Sequence, residues 1–181
     1  MKNNITYLDD ATIQIELTKG QFAVADAADL DLIQTYKWYA HYSKSTDDYY
    51  VRTNYVKPNG KQGTLFLHRF LMDVTDRNVE VDHINGSRCD NRRSNLRICS
   101  PSENQHNRRT SSRSTTGQKN IHLNKRTQRY HVVARIKRKA IYCGSFKLLT
   151  DAIARRNEVL PLLHGKFANF RPYKEDPEKP N

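Results

Sequence analysis

No stretch of this 181-residue chain approaches the ~18 consecutive apolar residues that a membrane-spanning helix needs. The opening Met1-Lys2-Asn3-Asn4 carries no apolar signal segment, so synthesis and use in the cytoplasm is the expectation. Cysteine is scarce. Cys89, Cys99 and Cys143 are odd in number and far apart, which argues against a disulfide framework, and no Cys-x-x-Cys pair offers a zinc knuckle. Cys99 and Cys143 read as small buried hydrophobes in strands. With 36% hydrophobic residues and a mean hydropathy of −0.86, one large core is excluded and several small modules on polar connections are expected. Acidic residues are missing from one long window. Between Asn104 and Thr150 there are twelve Lys or Arg and no Asp or Glu. That window carries the whole of the +12 net charge left by 31 basic and 19 acidic residues. A basic run is often only a solvated face, but this one contains strand-like, aromatic-bearing sequence, which favours a folded surface for a polyanion.

What is present centres on Val81-Asp82-His83-Ile84-Asn85-Gly86, continuing through Asp90-Asn91, Asn95-Leu96-Arg97 and Glu103-Asn104. A short apolar strand ends in an Asp-His pair and turns, and a second strand, Leu96-Arg97-Ile98-Cys99, follows. A helix with a clear start comes next: Ser100 as N-cap, Pro101 at the first helical position and Glu103 at the third form a capping box. Asn104 falls in the first turn, where a short polar side chain can reach back toward the Asp-His pair. Strand alternation would point Asp82 and His83 to opposite faces, so Ile84-Asn85-Gly86 is where the strand must break for them to converge.

Hydrolysis of a phosphodiester needs a base for water and a cation to take the charge that develops on the leaving oxygen. A hard divalent ion such as Mg2+ takes oxygen ligands of the kind Asp82 and Asn104 offer, with water and phosphate at the remaining positions. His83, neutral near pH 7, can accept the proton. An isolated Asp-His-x-Asn-Gly is usually no more than a turn; the full spacing and the capped helix make it a candidate site.

Residues 67–107, with Leu67-His68-Arg69, the Val81–Gly86 stretch, Asp90-Asn91, Ser94-Asn95-Leu96-Arg97 and Glu103-Asn104, resemble the HNH nucleases, in particular the phage and intron-borne homing endonuclease branch. The resemblance implies His83 as general base, Asn95 as the middle asparagine that ties the loop and orients His83, and Asp82 and Asn104 as ligands of one divalent metal. Asparagine at position 104 in place of a final histidine favours Mg2+ or Mn2+ over Zn2+. It also implies double-stranded DNA as partner, cleavage to 5′-phosphate and 3′-hydroxyl ends, and a phage-encoded monomer. His68 reads as a packed histidine that buttresses the site rather than as a further ligand. Arg97 and Arg108 are expected on DNA. His106 is expected to point away from Asn104, toward solvent or phosphate.

Residues 1–66 read as a β-rich antiparallel region with one helical insert near Asp26 to Gln34. Trp38 and the tyrosines around it are assigned to core and cross-strand packing in preference to nucleic acid. Residues 67–109 form the ββα-metal module, and residues 110–116 a Ser/Thr-rich linker with Arg109 just before it and Arg113 at its middle, both expected on the DNA backbone. Residues 117–170 read as a three-stranded antiparallel sheet packed on one helix, with strands at Gly117 to Asn124, Arg129 to Ile136 and Ala140 to Phe146, and the helix capped by Thr150, kinked by Pro161 and ended by Gly165. Its matching features, Tyr130 to Ile136, Tyr142-Cys143-Gly144-Ser145-Phe146 and His164-Gly165-Lys166-Phe167-Ala168, resemble the ethylene-response-factor-type (APETALA) DNA-binding domain. That implies an outer sheet face of Arg129, His131, Arg135 and Lys137 set into the major groove, with Lys119 nearby on DNA. Residues 171–181 read as a tail. The fold class expected is α+β, and the function a site-directed DNA endonuclease. The alternatives are a non-catalytic DNA-binding regulator and an RNA-binding protein, separable by cleavage and by RNA competition.

Overall fold

The computed structural model describes residues 2–44, 46–108, 110, 114–137 and 139–170. Arg109, Arg113 and the tail expected over 171–181 lie outside them. The protein is mixed α/β, with several small antiparallel sheets and few helices, folded as two compact units, Met1–Pro101 and Ser102–Asn181.

In the first unit β1 (Ile5–Tyr7), β2 (Thr12–Glu16) and β3 (Phe22–Asp26) form an antiparallel meander. Apolar alternation in β2 puts Ile13 and Ile15 on one face, and the register sets them against Ala25 and Ala23 on β3. All four are fully buried. Strand β1 was not expected, being too short to show a period. Asn3 holds it in place by donating from Nδ2 to the Glu16 and Trp38 carbonyls while its Oδ1 accepts from Trp38 N–H.

A short helix, α1 (Leu30–Ile33), precedes a second meander of β4 (Tyr39–Ser43), β5 (Asp48–Val56) and β6 (Gln62–Phe66). Trp38 sits at 0% exposure in the core cluster with Ile13, Ile15, Ile33, Ala40 and Val51, and its indole N–H donates to Ile33 O at 2.8 Å. Trp38→Phe should therefore destabilise the protein by about 1–2 kcal/mol, from a lost hydrogen bond and a small void, as read by denaturant titration; an unchanged midpoint would show that the indole is dispensable.

Helix α2 (Leu67–Leu71) follows β6, and Leu67 and Leu71 complete that core. From α2 the Arg69 guanidinium donates to Val79 O and Asp76 O, both at 2.6 Å, which fixes the chain as it enters β7 (Glu80–His83). Strand β7 pairs antiparallel with β8 (Leu96–Cys99). The loop between them is sewn to β3: Val24 N–H donates to Cys89 O and Asn91 N–H to Val24 O. The hairpin strands and the N-terminal sheets thus belong to one unit.

Helix α3 (Pro101–Asn107) starts where the capping residues predict. The second unit holds β9 (Ile121–Asn124), β10 (Arg129–Ile136) and β11 (Lys139–Phe146), in the order β11-β10-β9, with α4 (Leu149–His164) packed on them. Ile121, Val132, Ala152 and Val159 form its core. The strand expected from Gly117 begins only at Ile121. Gly117 and Asn120 both have positive φ, and the Thr116 hydroxyl closes a turn by donating to Ile121 O and accepting from Gln118 N–H. Helix α4 starts at Leu149 rather than after Thr150, because Ala152 N–H already reaches Leu148 O. Pro161 lies within its continuous span, and Gly165 follows with φ 53°. A bulge at Cys143 shifts the register of β10 and β11 between Val132 and Val133, with Gly144 at φ 134°.

Candidate active site

The two strands of the hairpin face each other as Asp82 with Arg97 and His83 with Leu96. Asp82 and His83 thus hold the last two positions of β7, and the chain turns immediately after His83. Strand β7 ends at His83, Gly86 N–H donates back to His83 O at 2.8 Å, and Gly86 has φ 73°. Both side chains are buried, Asp82 at 6% exposure and His83 at 5%.

Asn95 closes the loop at both ends. Its Nδ2 donates to Asp90 O at 2.8 Å, its Oδ1 accepts from Asn85 N–H at 2.9 Å, and its own carbonyl accepts from Ile84 N–H at 2.8 Å. Asp90 is the hub beside it, accepting from Asn85 Nδ2 and from Arg92 Nε and Nη2. The Arg92 hydrogen bonds hold the Asp90 carboxyl below the usual carboxylate range. These bonds make the turn after His83 rigid, which the sequence signals only as a cluster of Asn and Asp.

Burial pushes the His83 imidazole down to about 4, against the weaker opposing pull of Asn91, Asp82 and Asp90. At neutral pH it is therefore an unprotonated base. Asn91 is wholly buried. Its carboxamide favours the charged imidazole, although its Oδ1 makes no hydrogen bond of good geometry among the described residues. The His68 ring stands edge-on to His83 with centroids 4.9 Å apart, and packs against Tyr50 and Phe66. Burial, then the neighbouring His83 and the Arg69 and Arg88 charges, keep His68 well below the ordinary histidine range. Arg88 extends over the Tyr50 ring and pairs with Asp48 at 2.8 Å. Neither Asn91 nor Arg88 had a role assigned from sequence, since nothing in the pattern says which loop residues turn inward.

Asp82 is paired with Arg97. The guanidinium donates to Asp82 Oδ2 from Nε at 2.9 Å and from Nη2 at 2.6 Å, with the two side chains only 11% and 7% exposed. Cross-strand register fixes Arg97, a residue expected on DNA, opposite Asp82, where a buried carboxylate needs a countercharge.

In the second unit α3 carries Asn104, half-buried, in its first turn. Lys119, also expected on DNA, donates its ammonium to the carbonyls of Gln105, His106 and Arg108 at the end of α3. Asn169 Nδ2 donates to Asn107 O. His106, expected toward solvent or phosphate, stacks on His164 with centroids 3.8 Å apart. Arg108 is exposed just past α3.

On the sheet, the register places Arg129 and Asn124, His131 with His122 and Ser145, Val133 with Tyr142, and Arg135 with Ala140 on the face opposite the core residues Val132 and Ala134. Arg135 and Lys137 are exposed. The Arg129 guanidinium donates to Ser145 Oγ and Ser145 O, and His131 lies edge-on to Tyr142.

Among the described residues no group of three or more His, Cys, Asp or Glu is placed to hold a metal ion, so no zinc-type cage is built there. No helix is long and apolar enough to cross a membrane.

The buried carboxylate and imidazole lie before a braced turn, and residues 75–106, which span Asp82, His83, Asn95 and Asn104, match the model of the HNH endonuclease family. Among individual proteins, the chain is similar to an uncharacterized HNH endonuclease of Acanthamoeba polyphaga mimivirus, 30% identical over 99 residues. That alignment covers 52% of this chain and 47% of the viral protein, so the chain spans about half the length of the curated relative it matches. No solved structure matches the chain.

Proposed function

We propose that this protein is a DNA endonuclease that hydrolyses phosphodiester bonds by the HNH arrangement. The observation that carries the reading is the buried pair Asp82 and His83 at the end of β7, before the turn that Asn95 braces, inside the segment that matches the HNH endonuclease family. His83 takes a proton from the attacking water, and Asn95 keeps the turn that presents it. Asp82 is the carboxylate donor for one divalent cation, and the motif assigns Asn104 the second oxygen donor. An Asp and Asn set without thiolate fits a hard cation, Mg2+ or Mn2+. When bound, that cation would supply Lewis-acid stabilisation of the charge developing on the leaving oxygen. The P–O bond to the 3′ oxygen breaks, giving 5′-phosphate and 3′-hydroxyl ends.

The outer sheet face of the second unit, with His131, Arg135 and Lys137, is the surface we assign to the major groove of double-stranded DNA, in the manner of the ethylene-response-factor-type domain. Arg108 is assigned to phosphate. The finer reading is a phage-encoded, homing-type enzyme acting as a monomer in the host cytoplasm.

Incubation of supercoiled plasmid with the full chain and Mg2+ tests the reading. Nicked or linear product that disappears with EDTA is expected, with 5′-phosphate ends on mapping. Plasmid retained in a shift assay yet intact with both Mg2+ and Mn2+ would make the protein a DNA binder that does not cut. Loss of retention to structured RNA competitor, but not to duplex DNA, would move it to RNA.

A further inference from the structure

Arg97 faces Asp82 directly across the β7–β8 ladder, and two of its N–H groups converge on one carboxylate oxygen, Oδ2. Both side chains are nearly sealed from water. A guanidinium in that position neutralises the carboxylate that the proposed function assigns to a divalent cation. The two cannot serve Asp82 equally well. A dication arriving at Oδ2 must displace two charge-assisted hydrogen bonds, and wherever it enters it meets a fixed positive charge a few ångströms away. A guanidinium leaves a carboxylate most readily for another planar array of anionic oxygens, and a phosphodiester offers one with matching geometry.

We propose that Arg97 is a gate on cation loading: it holds Asp82 in the protein without DNA, and an incoming phosphodiester draws it off, so that the divalent ion is taken up tightly only when substrate is present. The inference rests on Asp82 being a metal ligand. Its consequence is an ordered cycle in which the protein without DNA carries little Mg2+ or Mn2+.

Mn2+ binding to the full chain in the absence of DNA, measured by titration calorimetry, tests this with Arg97→Gln and Arg97→Lys beside the parent. Arg97→Gln should bind Mn2+ on the order of tenfold more tightly than the parent, while its affinity for plasmid DNA falls. Arg97→Lys, which keeps the charge without the paired N–H fork, should lie between. Opposite signs for cation and DNA are the signature, because a merely structural arginine would weaken both. Arg97→Gln binding Mn2+ no better than the parent would overturn the gate. Should Arg97→Gln not unfold cooperatively, Arg97→Lys decides alone, and parent-like Mn2+ affinity there counts against the proposal. Asp82→Asn combined with Arg97→Gln separates the two ideas. Tight Mn2+ binding that persists in the double variant would show that Asp82 is not the ligand and remove the premise, whereas its loss leaves the gate to stand on the single-variant result.

Discussion

His83→Ala is expected to lower plasmid cleavage by about 10²- to 10⁴-fold, the contribution of a positioned general base, while DNA retention in a shift assay is unchanged. The physical reason is the burial that sets the imidazole at about 4 against an ordinary value of 6.5. A histidine at 6.5 would be half protonated on the acid side of neutrality and would lose its capacity as base there. His83 stays unprotonated, so the cleavage rate of the parent should not fall between pH 7 and 5.5 on account of this group. The same shift acts on stability. The folded protein holds this proton less tightly than the unfolded chain, so the folded state is undisturbed above pH 6.5 and loses up to about 3 kcal/mol as pH falls from 6.5 toward 4. His68, depressed in the same direction and by the same cause, adds to that loss. Acid unfolding of His83→Ala should therefore move to lower pH than that of the parent. A variant that cuts like the parent would remove His83 as base, and an acid limb near pH 6.5 would show that the imidazole is solvated in the working enzyme.

Arg135→Glu combined with Lys137→Glu should reduce DNA affinity on the order of a hundredfold at low salt and flatten the salt dependence of log K by roughly two units, one for each phosphate that is no longer neutralised. Both side chains are exposed on or beside the face of β10 away from α4, and neither takes part in the core. The thermal midpoint should accordingly hold, which makes the affinity change readable as a surface effect. Unaltered affinity and slope would take this face off the DNA. The contrast is Lys119. Its ammonium engages three carbonyls at the end of α3, so Lys119→Met should act through the helix more than through salt-dependent binding.

Much was legible from local pattern. Pro101 and Glu103 marked the start of α3, and the stretches Arg129 to Ile136 and Ala140 to Phe146 marked β10 and most of β11. Where the reading slipped, a non-local or side-chain interaction was responsible. The segment before Ile121 turns because Thr116 and Asn120 capture backbone groups, and β1 exists because Asn3 clips it to Glu16 and Trp38.

The sequence by itself determined the chemistry on offer: an Asp-His pair before a turn, asparagines at set spacing, a positive window without one acidic residue, and three cysteines far apart with no Cys-x-x-Cys pair. Those follow from residue type and spacing, which need no partner to be read. The tertiary structure alone decided that His83 is sealed against His68 and kept uncharged, and that register sets Arg97 on Asp82. It also turned Lys119 and His106 inward onto α3 and α4. Proton affinity and ion pairing depend on what surrounds a group in space, and residues far apart in the chain supply those surroundings.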